Sequence, residues 1–392
     1  MTKQSTPALR FDGFDGEWGA STLQDLTDKF TDGDWIESKD QSSSGIRLLQ
    51  TGNVGISRFL AKAGSEKWVS ESTFHRLRCE EILPGDILIS RLPEPAGRAC
   101  KVPALPYKMI TAVDCTIVRT DSSNEPNFLL AYLSTAEYFD SIRLMLAGGT
   151  RQRVSRSNLA TISIPTPPVI EEQRAIGELF ADLDALIEQH RAKHANLQQT
   201  KTALMQHMFP QDGADEPELR LDGFSGAWVT KTVDQICPLQ RGFDLPASKL
   251  VEGSVPVVTS NGVARHHNVA LVKGPGVTTG RSGTIGKVHF VEQDYWPHNT
   301  ALWVTNFKGN DPRFIYHLLE RIDPSNFSSG SGVPTLNRND LHDFVSSIPP
   351  TLEEQRAVGE VFSNLDALIA AESRYITQLT QAKTALLQRM FV

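Results

Sequence analysis

The chain has 392 residues, of which 40% are hydrophobic, and its 46 acidic and 39 basic side chains give a net charge of -7. This length exceeds that of an ordinary single domain and fits two or more domains, each with its own core. Apolar runs fall short of the ~18 residues that a membrane span needs, and residues 1–9 carry no apolar signal core. We therefore expect a cytoplasmic protein with no membrane partner.

Cysteine usage is sparse and predicts neither a disulfide framework nor a metal site. The four cysteines are far apart in the sequence and form no C-x-x-C pair. His266 and His267 are adjacent, so their rings diverge on a helix or a strand and form a poor chelate. We expect free or buried thiols in a reducing compartment.

The chain opens with a lead-in, residues 1–18, whose last ten residues recur later. The sequence LRFDGFDGEW at 9–18 returns as LRLDGFSGAW at 219–228, a shift of 210 residues. A first globular region follows at 19–166. Short apolar runs bounded by turn residues predict strands at 46–49, 86–90 and 115–118, and an amphipathic pattern predicts one helix over 127–146.

A long helix is predicted at 167–209 and again at 349–392. The first begins PPVIEEQRA and closes KTALMQHMF, and the second begins PPTLEEQRA and closes KTALLQRMF, shifted by 182 residues without a gap. About 40 residues at 1.5 Å each make a rod of roughly 60 Å. Thr351 and Glu354 have the spacing of a capping box, and Pro210 is expected to end the first helix.

Apolar residues in both helices follow the alternating spacing of a heptad, which favours an intramolecular antiparallel coiled coil over two ordinary core helices. The predicted apolar seam consists of Ile176, Phe180, Leu183, Ile187, Leu197, Leu204, Val358, Phe362, Leu365, Ile369, Leu379 and Leu386. Polar residues interrupt the seam, and we expect them to control its register: His190, His194, Lys201, Glu372 and Lys383.

Between the helices lie a linker with the second lead-in, at 210–227, and a second globular region at 228–348. The linker holds five acidic residues against Arg220 alone, whereas 151–168 has three arginines and no acid, so charge is unevenly distributed. Apolar runs in the second region predict four strands and a helix, namely strands at 255–259, 276–279, 287–291 and 301–304 and a helix at 313–321.

Runs that resemble familiar catalytic motifs match those motifs only in part. The run 274–280 does not fit G-x-G-x-x-G, and the run 281–288 has Arg281 and Val288 at P-loop positions that need Gly and Ser or Thr. The run Asp311 to Phe314 resembles the D-P-P-Y/F motif of amino-methyltransferases, but it lacks the second proline. We therefore predict no catalytic residue and no metal ligand.

Loops rich in glycine, arginine and asparagine fit nucleic-acid contact instead, because such side chains can bond phosphates or base edges. The loop 281–287 also promises unshielded backbone amides for a phosphate. Solvated turns are the plainer alternative for any single residue. The candidates are Arg58, Arg91, Arg98, Lys101, Arg151, Arg153, Arg156, Arg241, Asn261, Arg265, His266, Asn268, Arg281, Ser282, Lys287 and Arg338.

The two lead-ins, the two PP-x-x-EEQRA helix starts, the PGDIL turn at 84–88 and the SGVPTL run at 331–336 resemble the specificity (S) subunits of type I restriction-modification systems. The resemblance covers the whole chain. It implies an α/β fold with a pseudo-twofold internal repeat, in which two globular target recognition domains are separated by two long antiparallel coiled-coil helices. The extended run at 91–98 in the first region, where the second has a compact loop, leaves its DNA-facing residues less defined.

The resemblance also implies that this chain is non-catalytic and reads double-stranded DNA, each domain taking one half of a bipartite asymmetric site. Two methyltransferase (M) subunits, which carry S-adenosylmethionine, and restriction (R) subunits are the expected partners, and this chain is expected to bind no cofactor. The sequence leaves two alternatives open. One is a self-sufficient DNA adenine methyltransferase, and the other is a coiled-coil scaffold without nucleic acid.

Overall fold

The computed structural model describes residues 6–148, 152–211, 213–329 and 334–391. The chain divides into two compact units, Met1–Arg191 with Arg374–Val392, and Ala192–Ser373. Each unit contains one globular domain, the first part of one long helix and the last part of the other.

The described residues of the first domain form ten short strands and four short helices. Its strands are β1 (Gly19–Thr22), β2 (Thr27–Asp32), β3 (Gln41–Ser42), β4 (Ile46–Leu49), β5 (Lys67–Val69), β6 (Ile87–Ser90), β7 (Ala99–Lys101), β8 (Met109–Thr111), β9 (Cys115–Thr120) and β10 (Ser163–Thr166). Its helices are α1 (Glu71–Leu77), α2 (Pro126–Tyr132), α3 (Ala136–Met145) and α4 (Arg156–Ala160), and the long helix α5 (Ile170–His207) follows.

The second domain repeats this plan with fewer residues. Its strands are β11 (Val229–Thr232), β12 (Leu239–Arg241), β13 (Val255–Thr259), β14 (Gly262–His267), β15 (Gly276–Gly280), β16 (Val288–Val291), β17 (Trp296–Pro297), β18 (Ala301–Val304), β19 (Ser328–Ser329), β20 (Thr335–Leu336) and β21 (Val345–Ile348). Its helices are α6 (Val233–Ile236), α7 (Pro312–Ile322) and α8 (Arg338–His342), and the long helix α9 (Leu352–Met390) follows.

The two domains share their sheet topology. One sheet has the order β2-β9-β6-β7 in the first domain and β12-β18-β15-β16 in the second. In the other sheet β4 lies between antiparallel β5 and parallel β8, just as β13 lies between antiparallel β14 and parallel β17. The sequence repeat therefore extends to strand order, although the strand sequences themselves differ.

Two matched strand pairs close the domains at the point where the repeats enter and leave them. Gly19 faces Thr166 in the pair β1 and β10, and Val229 faces Ile348 in the pair β11 and β21. These partners are related by the same shifts, 210 and 182, as the lead-in and helix repeats. The repeated segments thus form a common base on which the variable loops are carried.

In each unit the two long helices pack antiparallel. In the first unit the ring of Phe180 lies 6.1 Å from that of Phe391, and further along the pair His190 lies 4.5 Å from Tyr375. In the second unit Phe209 lies 5.9 Å from Phe362, and Lys193 pairs with Glu372 at 2.5 Å. All twelve residues of the apolar seam are buried or half-buried, and the polar seam residues Glu372 and Lys383 are buried among them.

The seam lysines occupy equivalent ion pairs. Lys201 Nζ lies 2.7 Å from Asp366 Oδ1 in the second unit, and Lys383 Nζ lies 2.5 Å from Asp184 Oδ1 in the first. Residues 184 and 366 are the aspartates of the repeated LDALI sequence. Burial lowers the pKa of Lys201, but its hydrogen bonds with Asp366 and Glu320 raise it above the ordinary value overall, so this lysine stays charged.

Most of the predicted elements are confirmed, with one clear error. The strands predicted at 46–49, 255–259 and 301–304 have those bounds, and the others differ by one or two residues at an end. The single helix predicted at 127–146 is wrong, because it is interrupted between α2 and α3. Thr135 accepts the Tyr138 N–H at 3.2 Å and donates to the carbonyl of Tyr132, so it caps a new helix.

The capping box predicted at the start of α9 is half formed. The hydroxyl of Thr351 accepts the Glu354 N–H at 3.3 Å. The carboxylate of Glu354 does not return to Thr351, because Arg220 and Trp228 hold it. The first long helix ends at His207, a few residues before Pro210.

Candidate functional site

The lead-ins and the helix starts are joined by two equivalent buried clusters. Arg10 donates to both carboxylate oxygens of Glu172, at 2.7 and 2.8 Å, and Trp18 Nε1 donates to the same group at 3.3 Å. Arg220 donates to Glu354 at 2.8 and 2.9 Å, and Trp228 Nε1 lies at 3.2 Å. The recurrence of the same residues in both copies therefore has a structural cause, since a buried carboxylate has to be paired.

The glutamines of the same helix starts orient the domains. Gln173 Oε1 accepts the Glu125 N–H at 3.0 Å, just before α2, and Gln355 Oε1 accepts the Asp311 N–H at 2.9 Å, just before α7. Asp311 in turn accepts the N–H groups of Arg313 and Phe314 at 3.0 Å each. The run Asp311 to Phe314, which resembled a methyltransferase motif, is thus a helix cap.

In the second domain the structure gathers several polar residues from separate loops onto one surface. Lys287 Nζ donates to Asn261 Oδ1 at 2.9 Å, and Arg241 Nη2 lies 3.0 Å from Asp244 Oδ1. Asn299 also bonds Asp244. We call the set the domain-2 polar surface, and its members are Arg241, Asp244, Asn261, Arg265, Lys287, His289, His298 and Asn299.

Two histidines of this surface are held in the neutral form. Burial lowers the pKa of His298, and the neighbouring Arg265 and Arg241 lower it further, while Asp244 opposes them. Burial also lowers the pKa of His289, against a hydrogen bond to the carbonyl of Ser260. A neutral imidazole offers one donor and one acceptor, which suits the edge of a base better than a phosphate.

Sequence reasoning found Arg241, Asn261, Arg265 and Lys287 but missed the other members of the surface. Asp244, His289, His298 and Asn299 come together only through strand pairing and turns. The sequence signal that could have pointed to this surface is the polar run His298 to Thr300, which stands directly before an apolar strand. Thr300 links the surface internally, because its hydroxyl accepts the Ser260 N–H at 3.3 Å and contacts His298 Nδ1 at 3.1 Å.

The loop 281–287 differs from its prediction. The N–H groups of Arg281 and Ser282 donate to the carbonyl of Thr300 at 2.8 and 3.2 Å, and that of Gly283 donates to Pro334 at 3.2 Å. These three amides are already satisfied, so only the later part of the loop, 284–287, is left to make the predicted phosphate contact, which stays a prediction. The loop instead ties Thr300 to the strand at Thr335, while its half-buried Arg281 side chain remains a candidate.

Three other second-domain candidates are exposed but separate. His266 and Asn268 lie at the end of the β13–β14 hairpin that is remote from its turn, and Arg338 begins α8. Within the described ranges, no hydrogen bond or ion pair joins them to the domain-2 polar surface. Their DNA contacts stay predictions.

In the first domain, three candidate arginines surround two carboxylates. Arg91 Nε lies 3.4 Å from Asp32, Arg156 lies 3.9 Å from Asp32, and Arg153 lies 3.9 Å from Asp114. Arg153 and Arg156 are exposed, whereas the Arg91 side chain is 6% exposed and donates to the carbonyl of Val113. Arg91 therefore positions the cluster from beneath and cannot itself reach a base.

Arg98 was predicted to contact DNA, but its guanidinium instead makes hydrogen bonds within the domain. It donates to four backbone carbonyls at 2.6 to 3.0 Å, those of Thr51, Val54, Leu92 and Pro95. Burial lowers its pKa. Four of its five N–H donors are therefore used inside the domain, which gives Arg98 a structural role.

The remaining first-domain candidates lie near α5 or outside the description. Arg58 pairs with Glu188 at 2.7 Å, and Lys101 bonds Asn127 at 2.6 Å. Arg151 lies outside the described residues, as do parts of the SGVPTL run.

One group in the described ranges has metal-ligand geometry, namely His317, Glu320 and Asp366. Lys201 Nζ already lies 2.9 Å from Glu320 and 2.7 Å from Asp366. The ammonium group therefore supplies the positive charge that these carboxylates need. The four cysteines are buried and free, and burial raises the thiol pKa of Cys100 and of Cys237 to about 12.

Comparison with known proteins decides the family. Residues 16–199 and 226–381 each match the type I restriction modification DNA specificity domain. The chain belongs to this family. The two matches coincide with the two copies of domain plus helix, so the internal repeat is a repeat of the whole specificity module.

Relatives and solved structures of the family agree. The chain is 20% identical to the MjaX specificity subunit of a type I restriction enzyme from Methanocaldococcus jannaschii, over 94% of this chain and 91% of that one. The MjaVIII specificity subunit of the same organism is 25% identical over 48% of this chain and 44% of its own length. Both are similar proteins of the specificity family.

Two structures share the fold over nearly the full length. The S subunit from M. genitalium aligns with a TM-score of 0.73 at 15% identity, covering 99% of each chain. A chain from a structural study of type I restriction-modification complex assembly aligns with a TM-score of 0.51 at 17% identity, covering 96% of this chain and 98% of that one. In the described part of this chain, no helix combines the length and apolar character needed to cross a membrane.

Proposed function

We propose that this specificity-family chain reads a bipartite, asymmetric DNA site, with each domain reading one half. The observation that carries the proposal is the pairing of a constant frame with variable loops. Sheet order, closing strands and buried Arg–Glu–Trp clusters recur in both domains, whereas the exposed side chains on the loops differ. Two such readers on one chain would address unlike sequences in equivalent positions.

The domain-2 polar surface supports DNA as the ligand. It combines Arg, Lys, Asn and neutral His side chains, which are the groups that bond base edges in the major groove. Its counterpart in the first domain presents Arg153 and Arg156 beside Asp32 and Asp114. If both readers face one side of the duplex, the half-sites should lie about one helical turn, roughly 34 Å, apart.

The chemistry belongs to partner subunits in this proposal. We infer that two methyltransferase subunits, carrying S-adenosylmethionine, and restriction subunits dock on the chain, which itself binds no cofactor and catalyses no step. Such partners would also supply cations for phosphate contact, which a chain with a net charge of -7 lacks overall. We place this chain in the cytoplasm, because its proposed ligand is the DNA of the cell.

The proposal is tested by mapping methylated adenines in cells that express the chain with its cognate methyltransferase subunit. We expect one bipartite motif with two specific half-sites and a spacer of fixed length and free sequence. A continuous motif, or a pattern that does not change when this chain is omitted, would reject the proposal.

A further inference from the structure

Two four-residue loops occupy equivalent places in the two domains. Strand pairing sets the equivalence, because Asp32 ends β2 opposite Thr116 and Arg241 ends β12 opposite Leu302. Thr116 and Leu302 are themselves equivalent. Each directly follows the residue that pairs with the last residue of the neighbouring strand, β6 in the first domain and β15 in the second. The first loop, 32–35, has the sequence Asp-Gly-Asp-Trp, and the second, 241–244, has the sequence Arg-Gly-Phe-Asp.

The same backbone contacts fix both loops. The Gly33 N–H donates to Cys115 O at 2.9 Å, and the Gly242 N–H donates to Ala301 O at 3.0 Å. The next N–H in each loop donates to a strand carbonyl at 2.8 Å, that of Thr111 or Pro297. A Cβ at Gly33 would overlap the Thr111 carbonyl, and one at Gly242 would overlap the His298 carbonyl. Glycine is therefore required in both loops, and the loop backbones are preorganised.

The two loops share this backbone arrangement, but their side chains differ in charge, polarity and size. Asp32 is replaced by Arg241, Asp34 by Phe243, and Trp35 by Asp244. The outermost position is exposed in both domains, with Trp35 at 71% and the Asp244 side chain at 62% exposure. A large aromatic side chain left in solvent on a rigid loop is unusual for a surface without a partner.

Asp244 stands out because it is an acid on an otherwise cationic and neutral surface. Its carboxylate lies 3.0 Å from Arg241 Nη2 and bonds Asn299. A carboxylate is repelled by phosphates, so its favourable DNA contact is an exocyclic amino group on a base edge. A C·G pair presents the N4 amino group of cytosine next to the O6 and N7 acceptors of guanine. An aspartate held beside an arginine complements that arrangement.

We propose that the loops 32–35 and 241–244 are specificity determinants, and that Asp244 and Arg241 together read one C·G pair in the second half-site. Asp244 accepts a hydrogen bond from cytosine N4, and Arg241 donates to guanine. The inference rests on the proposed reading of DNA and names the loop and the base pair that this reading uses.

The test uses the full chain assembled with its methyltransferase subunits and a library of sites randomised in the second half. Asp244→Asn keeps the size of the side chain but introduces an amide donor. We expect the preference for C·G at one position to fall about tenfold or more, while every other position and the first half-site keep their preference. Asp222→Asn, at an exposed aspartate of the lead-in, is the matched control and should leave the profile unchanged.

Other outcomes are equally decisive. A uniform loss of binding at all sequences would show that Asp244 only orients its neighbours, and an unchanged profile would show that it touches no base. Either result overturns this inference but leaves the proposed function intact. If the unaltered complex shows no sequence preference at all, the proposed function fails instead.

A second variant tests the loop equivalence independently. The triple change Asp32→Arg, Asp34→Phe and Trp35→Asp places the second-domain side chains on the first-domain loop. We expect the motif to change in the first half-site alone, at about one or two base pairs. An unchanged first half-site, in a complex that still methylates DNA, would contradict the assignment of this loop.

Discussion

At the residue scale, the buried carboxylates Glu172 and Glu354 explain why the lead-ins and the helix starts repeat together. Each carboxylate is almost inaccessible and is satisfied by an arginine and a tryptophan from the lead-in. Losing one partner of a buried pair leaves the other uncompensated, at a cost of about 3 kcal/mol. The repeats therefore preserve a structural joint between each lead-in and the start of a long helix.

This joint predicts the effect of a single substitution. Glu354→Gln removes the charge that Arg220 requires, and we expect the free energy of unfolding to fall by about 2–3 kcal/mol. Chemical denaturation measures the change. Glu353→Gln alters the exposed neighbour and should change stability by less than about 0.5 kcal/mol. Equal effects of the two substitutions would contradict the assigned role of the joint.

His342 gives the second domain a predictable response to acid. Its Nε2 accepts the Leu239 N–H at 2.8 Å, so that nitrogen carries no proton, and burial lowers the pKa of the ring. A histidine with a lowered pKa contributes its full stabilisation above the ordinary value, near 6.5, and loses it as the pH falls through the folded-state pKa. Protonation would also break the contact to β12.

We therefore expect the melting temperature to drop between about pH 7 and pH 5, and His342→Gln to make this drop smaller, leaving the part that His289 and His298 contribute. Thermal unfolding at several pH values measures both. The exposed His266→Gln should keep the full pH dependence. If the two variants show the same profile as the parent chain, His342 does not carry the response.

The roles of individual residues were the hardest feature to predict from the sequence. Arg98 looked like a DNA contact because it is a cation in a Gly- and Pro-rich run, but four carbonyls converge on it only in the folded domain. Asp244 was not predicted, because the sequence candidates were chosen from loops rich in glycine, arginine and asparagine. Its neighbours Arg241 and Asn299 are 58 residues apart in sequence and meet through strand pairing.

At the element scale, the long helices were predictable because their heptad spacing is a purely local signal. The break between α2 and α3 was not recognised, although Thr135 is a preferred N-cap residue, because the apolar pattern continues on both sides of it. Several two- and three-residue strands, such as β7 and β17, are too short to show a period. They form because neighbouring strands offer partners, which no local pattern records.

The helices also predict how the distance between half-sites is set. Removing one turn from each helix, residues 192–195 and 374–377, deletes equivalent positions from the two copies and shortens each rod by about 6 Å. We expect the spacer of the methylated motif to shorten by roughly two base pairs, given about 3.4 Å per pair. Adenine methylation mapping reads the spacer directly.

Alanine at the six of these eight positions that are not already alanine, without deletion, controls for lost side chains and should preserve the spacer. An unchanged spacer in the deletion variant, in a complex that still methylates DNA, would count against the helices as the ruler. Complete loss of methylation with intact thermal unfolding would indicate that one turn also carries a docking contact.

At the scale of the whole molecule, the chain is a repeat in which each domain is built on the same frame. The repeat was visible in sequence because the lead-ins and helices recur without gaps, and this allowed the fold class to be predicted. The recognised bases were not visible, since they depend on side chains that several loops bring together. Family membership accounts for the strands and helices that the two domains share. The domains differ in the side chains of the loops 32–35 and 241–244.

The central claim is that each domain reads its own half-site, and exchange of one domain tests it most directly. Residues 19–166 would be replaced by the matching region of another specificity subunit, and methylated adenines would be mapped in cells that carry the cognate methyltransferase. We predict that one half of the motif changes to that of the donor while the other half and the spacer persist. A motif that changes in both halves, or in neither, would contradict the account.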